Sequence, residues 1–231
     1  MVKTSPPKTR TDDVHDRLRA DILGGRWRPG DRLKFTPLCE HYGASVGVVR
    51  EVLSRLAEQG LVRAEPQVGF QVTPISLEDL LDLTAVRVDI EGLALRYSIE
   101  RGDLAWETGV VAAHHALERT PRRLPDDPAR LSDDWVLAHA HFHEALTCGC
   151  NSPRLSAIAL SVRESAELYR RWSVPIGEWE TTRDVEGEHR AILEAAVNRD
   201  ADAAVAALSA HINLTTQLIL QSATEEVTPG P

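Results

Sequence analysis

The chain has 231 residues, 42% of them hydrophobic, and a formal net charge of −9. That is an ordinary globular composition, long enough for one large domain or two modest ones. No run of about 18 apolar residues stands out, so no membrane span is expected, and the acidic balance excludes a general nucleic-acid coat. The first residues, MVKTSPPKTRTDD, lack the apolar stretch of a secretory leader and read as a short disordered lead-in over 1–10. Three cysteines cannot build a disulfide framework, and a reducing, cytoplasmic setting suits them. Cys148-Gly149-Cys150 could be a redox or metal pair, or simply two small residues at a helix end. The charge is unevenly spread: residues 1–75 carry 12 Lys/Arg against 9 Asp/Glu, and the remainder 14 against 26. A mildly basic small domain joined to an acidic larger one confines any DNA contact to one end.

The first element expected is a helix over 11–23. Thr11 can cap it, Asp12 and Asp13 favour its N-terminus, and Val14, Leu18 and Ile22 form one stripe. Gly24-Gly25 ends it, and Pro29-Gly30 makes a turn. Thr36 with Pro37 opens a short helix to 42, which Gly43 breaks. Ser45 caps a helix over 46–59 that buries Val49, Leu53 and Leu56 and stops at Gly60. Leu61-Val62 and Phe70-Gln71-Val72 read as strands joined by a tip from Pro66 to Gly69. The expectation for 11–75 is a winged helix-turn-helix of three helices and a two-stranded wing.

From Ser76 the period changes. Ser76 and Asp79 form a capping box, and Leu80, Leu83, Val86, Ile90, Leu93 and Tyr97 recur at steps of three or four, giving a long helix over 77–100. Further helices are expected at about 103–119, 129–148, 152–173, 178–198 and 201–222, separated by Gly102, Pro121 to Pro128, Gly149 to Pro153, Pro175 to Gly177 and Asp200. No alternating strand pattern follows residue 76. The fold class is therefore mainly α, with an all-helical bundle of about six helices over 76–222 and a disordered tail at 223–231.

A recognition helix presents its N-terminal residues to base edges in the major groove. Here those residues are Ser45, Val46, Gly47 and Arg50, with Arg32, Lys34 and the wing glycine Gly69 as neighbouring contacts. Arg50 can bond guanine bidentately or meet a phosphate, or it can pair with Glu51 or Glu40. The runs PGDRL, GASVGVVREVLSRLAEQGLV and QVGFQV resemble the DNA-binding domain of the GntR family, whose usual run is Gly-Val-Ser-Arg-Thr-Pro-Val-Arg-Glu-Ala-Leu. Ser45, Val49, Arg50, Glu51 and Leu53 match it. Two departures matter: Val46 stands where the family has an arginine after the serine, and Val68 where it has the wing arginine. Both family arginines usually contact DNA. Their loss implies lower affinity or a different operator, with phosphate contacts still supplying binding.

The second signal is His139-Ala-His-Phe-His143. His139 and His143 are four apart and share a helix face, whereas His141 points elsewhere. His189 and His211 lie on two later helices, so four imidazoles on three helices can converge inside the bundle. Spacing alone leaves two outcomes open, ordinary hydrogen-bonded core histidines or a first-row metal site. The pattern around His143, His189 and His211, with Arg87-Val-Asp-Ile-Glu91, resembles the FCD ligand-binding domain of the FadR subgroup of GntR regulators. Metal-binding members commonly use an aspartate, then a histidine four residues on, then two more histidines. The resemblance implies a metal site at His139, His143, His189 and His211, with His139 in the aspartate position. Four imidazoles disfavour manganese and favour zinc, with nickel as the alternative. The resemblance also implies a carboxylate effector, anchored by the ion and by Arg87, whose other reading is a surface pair with Glu91. Arg163 and Asn213 are further pocket candidates, while Trp106, Trp135 and Tyr169 suit the core and His114 and His115 the solvent.

The function these readings support is a ligand-responsive transcriptional regulator. It would be a homodimer on a pseudo-palindromic operator, with repression relieved by a small organic acid. Two alternatives differ in class. A metal-dependent hydrolase or oxygenase would need an open metal position and an acid–base group; Glu144 and Glu188 adjoin the histidines, but their helix positions aim them away. A winged-helix architectural or protein-interaction module without effector would account for Val46 and Val68.

Overall fold

Helix α1 (Arg10–Leu23) is capped by Thr9, not by Thr11. The Thr9 hydroxyl accepts the Asp12 N–H while the Asp12 carboxylate accepts the Thr9 N–H, a reciprocal box that Thr11 cannot form. The computed structural model describes residues 9–65, 69–74, 76–124, 126–172 and 183–225. Most of the lead-in expected at 1–10, the wing tip with Val68, the breaker at 175–177 and the end of the expected tail lie outside those residues. Two compact units are present, Met1–Ser76 with Glu167–Trp172, and Leu77–Ala166 with Ser173–Pro231.

In the first unit, strand β1 (Arg32–Leu33) precedes α2 (Phe35–Tyr42), α3 (Val46–Glu58), β2 (Val62–Glu65) and β3 (Gly69–Val72). Helix α2 starts directly after Lys34, ahead of the position suggested by Thr36-Pro37. Gly43 ends it with φ 60°, a left-handed conformation that glycine adopts without a steric penalty. Ser45 caps α3 by accepting the Val48 N–H. The wing is a three-stranded antiparallel sheet of order β1-β3-β2, with Leu33 opposite Phe70 and Arg63 opposite Gln71. The short β1 has no alternating pattern to reveal it and exists because β3 pairs on both edges. Val14, Leu18 and Ile22 meet Leu38, Tyr42, Val49, Leu53 and Leu56 in one buried core. Tyr42 spans its edge, donating its hydroxyl to Asp21 (2.7 Å) and accepting from Trp27 Nε1 (3.1 Å).

The second unit contains α4 (Leu77–Arg101), α5 (Leu104–Arg119), a hairpin β4 (Arg123–Leu124) with β5 (Asp127–Leu131), α6 (Asp133–Cys148), α7 (Pro153–Trp172), α8 (Val185–Val197) and α9 (Ala201–Glu225). The hairpin corrects the expected all-helical architecture. It occupies the segment in which Pro121, Pro125 and Pro128 break helix, and it delays α6, which starts where the Ser132 hydroxyl accepts the Trp135 N–H. Helix α9 runs into the expected disordered tail, reaching Glu225.

The predicted apolar stripe of α4 coincides only in part with its buried face: Leu80 is buried, and Ile90 and Tyr97 pack against a core cluster. Val86 and Leu93 are exposed, while Thr84, Glu91 and Ser98 are buried at seven-residue spacing. Thr84 bonds Thr216 of α9 through its hydroxyl at 2.7 Å. Contrary to the expectation of no candidate span, Ala201–Gln221 is long and apolar enough to cross a membrane on composition alone. Its Ala204, Leu208 and Ile212 nevertheless belong to the bundle core, beside buried His211 and Thr216. Trp106 and Trp135 pack in the same core. Gly149 leaves space for the Trp106 ring, since a Cβ there would lie 2.6 Å from Trp106 Cδ1.

Candidate functional site

The residues expected to read DNA are exposed in the first unit. Ser45, Val46, Gly47 and Arg50 are all exposed at the start of α3, and Arg32, Lys34 and Gly69 are exposed as well. Among the described residues Arg50 makes no ion pair with Glu40 or Glu51. Its guanidinium instead lies 5.0 Å above the ring of Phe35, the residue after Lys34. Val46 is 50% exposed in the first turn of α3. It presents two methyl groups where an arginine would present a fork of donors.

In the second unit, α6 supplies His139 and His143, α8 supplies His189 and α9 supplies His211. One ligand atom from each lies within 4.8 Å of every other. Ring centroids are 4.5 Å apart for His139–His143, 5.0 Å for His139–His189 and 4.8 Å for His189–His211. His143, His189 and His211 are buried, and His139 is half-buried, stacked on Trp135 at 4.9 Å. His141 is exposed, as its helical offset requires.

Burial pushes the basicity of all three buried rings down. His189 falls to about 2, with the neighbouring His211 adding to the effect, and His143 lies well below its ordinary value. His211 is lowered by burial although its bond to Glu188 opposes the shift. The rings are therefore neutral at pH 7, the state in which imidazole binds a metal. The Nε2 atoms of His143 and His189 are buried without any hydrogen-bond partner. Buried polar atoms are rarely left so. Neutral lone pairs converging in this way suit a borderline first-row ion at about 2.0–2.1 Å from each nitrogen.

Beside the cluster, Glu91 is fully buried. Arg87 donates from Nε to Glu91 Oε1 at 2.7 Å, and Arg163 Nη1 stands 3.8 Å from Glu91 Oε2. Arg87 is thus the Glu91 partner, but in the interior and not on the surface. Both guanidiniums are mostly buried, and one carboxylate faces two of them. Asn213 is a correction: it is exposed and donates to the Ser209 carbonyl of its own helix, on the opposite side of α9 from His211.

Three further residues depart from expectation. His114 is buried, packed edge-on against Phe142 at 5.2 Å, because α5 turns it into the core next to Ala113. Glu188 does not aim away: it lies 2.7 Å from His211 Nδ1. Arg183, which no motif marked, grips Glu188 with Nε and Nη2 at 2.7 and 2.6 Å. A carboxylate adjoining a ligand in sequence was the available signal; its direction depends on how α9 packs against α8, which periodicity does not reveal.

A winged helix-turn-helix followed in the chain by a helical bundle with an inward histidine cluster is the make-up of a two-domain regulator. Comparison with known proteins agrees. Residues 10–72 match the family described as bacterial regulatory proteins, gntR family, and residues 82–214 match the FCD domain. The chain is 38% identical over 205 residues to an uncharacterized HTH-type transcriptional regulator BphR of Paraburkholderia xenovorans, covering 89% of this chain and 83% of that protein. It is 31% identical to the HTH-type transcriptional repressor GlaR of Escherichia coli, covering 91% and 96%. A putative GntR transcriptional regulator from a Rhodococcus species superposes with a TM-score of 0.70 at 26% identity, covering 92% and 98%. The chain belongs to the GntR family of transcriptional regulators and carries an FCD domain, and it is a DNA-binding regulator.

Proposed function

We propose that this regulator is a repressor released by a small carboxylate effector bound at a metal ion in the FCD domain. It would act in the cytoplasm as a homodimer on a pseudo-palindromic operator. The observation that carries the proposal is the convergence of four imidazoles within 4.8 Å, two of them with buried, unpartnered Nε2 atoms. His139, His143, His189 and His211 would hold the ion. An all-nitrogen set favours zinc or nickel over manganese. The ion, when bound, supplies a positive centre that attracts an anion. Arg87 and Arg163 offer two guanidiniums against the single charge of Glu91, which leaves one positive charge to meet a carboxylate. If the effector favours one placement of the DNA-binding heads, effector and operator binding are reciprocally coupled.

The test is metal content of the purified full chain, untagged, beside His143→Ala and His189→Ala. About one zinc or nickel per chain in the parent, lost in both variants, is the expected result. A parent that holds no ion after reconstitution would remove the metal from the reading. On the DNA side, Arg50→Ala is expected to cost about 1–3 kcal/mol of binding, roughly 5- to 150-fold. A mobility-shift titration against a duplex selected by the parent from random sequence measures it. An unchanged Kd would show that Arg50 touches neither base nor phosphate.

A further inference from the structure

We infer that Glu188 and Arg183 form the outer shell of the histidine cluster: Glu188 fixes His211 through Nδ1 so that Nε2 is its ligand atom, and it places beside the site the carboxylate that four imidazoles lack. This rests on the metal reading above and adds two residues to it. Glu188 Oε2 lies 2.7 Å from His211 Nδ1, while Arg183 Nη2 lies 3.3 Å from the same nitrogen. A carboxylate can only accept and a guanidinium can only donate, so the two contacts demand opposite tautomers. The shorter, carboxylate contact decides, and puts the His211 proton on Nδ1. Only Nε2 then keeps a lone pair.

Arg183 holds Glu188 in turn. Its fork bonds both carboxylate oxygens, and its remaining donors reach Thr215 Oγ1 at 3.0 Å and the His211 carbonyl at 3.2 Å. Thr215 donates to that same carbonyl at 2.9 Å. The backbone of the His211 turn and its ring are thus held by one side chain and its partner. On the α8 side, Asp184 accepts the Gly187 N–H and fixes the helix start that delivers Glu188 and His189 together. A bidentate ion pair built only to brace the start of α8 would not need an oxygen on the ring of a candidate ligand carried by α9. Outer-shell partners of this kind orient ligands and raise their basicity toward a metal.

The experiment strips the full chain with chelator and titrates zinc against a competing chromophoric chelator, for the parent, Glu188→Gln and Glu188→Asp. The urea midpoint of each stripped protein is measured alongside. Glu188→Gln is expected to lose about 10- to 100-fold in zinc affinity while still reaching one ion per chain at saturation. The visible spectrum of the cobalt-loaded protein should shift with it. A fall in the stripped midpoint with zinc affinity within twofold of the parent would make the pair merely structural and overturn the inference. Glu188→Asp keeps the charge but draws the oxygen back from His211, so it decides the matter if Glu188→Gln does not fold. Loss of affinity supports the orientation role, and parental affinity overturns it. A parent without zinc affinity overturns the metal reading itself.

Discussion

Glu91→Ala is expected to destabilise the FCD unit by about 3–5 kcal/mol, the cost of breaking a buried ion pair by removing one partner. Glu91 is fully buried and its two neighbours, Arg87 and Arg163, are almost as deeply placed, with side-chain exposures of 13% and 12%. Burial already lowers the Arg163 pKa, and the Glu91 charge is what chiefly opposes that shift. Alanine would leave two guanidiniums without the buried carboxylate between them, and only the weaker influence of Glu144 and Glu164 on Arg163. Because a domain of this size is stable by only about 5–15 kcal/mol, urea unfolding should show the loss directly. A loss under about 1 kcal/mol would mean that water reaches the guanidiniums and that the pair behaves as a surface bridge. The same variant probes the proposed effector site. A carboxylate that binds between Arg87 and Arg163 should raise its midpoint more than the parent's, since it replaces the missing charge.

How much of this was legible beforehand depends on which force placed each residue. The helix-turn-helix was readable because local rules and the core agree there: Ser45 caps, Gly43 turns, and Val49, Leu53 and Leu56 face inward as their period says. The four-histidine convergence is readable because His139 and His143 share one face and His189 and His211 lie on two later helices; the resemblance adds that the four positions are those of a metal site. The α4 face is legible only in part, because periodicity finds apolar side chains such as the buried Leu80, whereas this helix also buries Thr84, Glu91 and Ser98 and exposes Val86 and Leu93. Those polar residues are tolerated inside because partners meet them, Thr216 and Arg163 from other helices and Arg87 and the Ala94 carbonyl from α4 itself. Tertiary pairing also explains β1, the hairpin at β4–β5 and the Arg183–Glu188–His211 chain, none of which has a local signature. Asn213 failed for a simpler reason: a two-residue offset from His211 on a helix is a rotation of about 200°, which carries it to the outer face.

The metal-stripped protein is expected to lose stability steeply in mild acid, starting just below pH 6.5. The sign follows from the depressed basicity of the buried rings. Below 6.5 the unfolded chain protonates His143 and His189, but the folded chain does not until far lower pH, about 2 for His189. The unfolded state therefore binds more protons, so stability is full above 6.5 and falls as the pH drops. Each such ring costs about 1.4 kcal/mol per pH unit, which gives roughly 2–3 kcal/mol for these two over the first unit. His211 shifts in the same direction and steepens the fall. Glu188 adds a second, lower window. Burial raises its pKa, but the hydrogen bonds from Arg183 and His211 outweigh that and bring it to about 2, so its contribution is present above 4.5 and lost as the pH falls toward 2. Urea midpoints of stripped protein at pH 7.0, 6.5, 6.0 and 5.5 test the first window, about one unit on the acid side of the ordinary imidazole value. His143→Leu, which fills the same space with carbon, should flatten the slope by about one proton. Flat stability across that range in the parent would mean that the imidazoles protonate in place, and rings that accept protons so readily would not be buried as a neutral, metal-ready cluster. A bound ion competes with the same protons. If the proposed ion binds, the loaded protein should therefore stay level to lower pH and then fall more abruptly, as the ion leaves and the histidines titrate together.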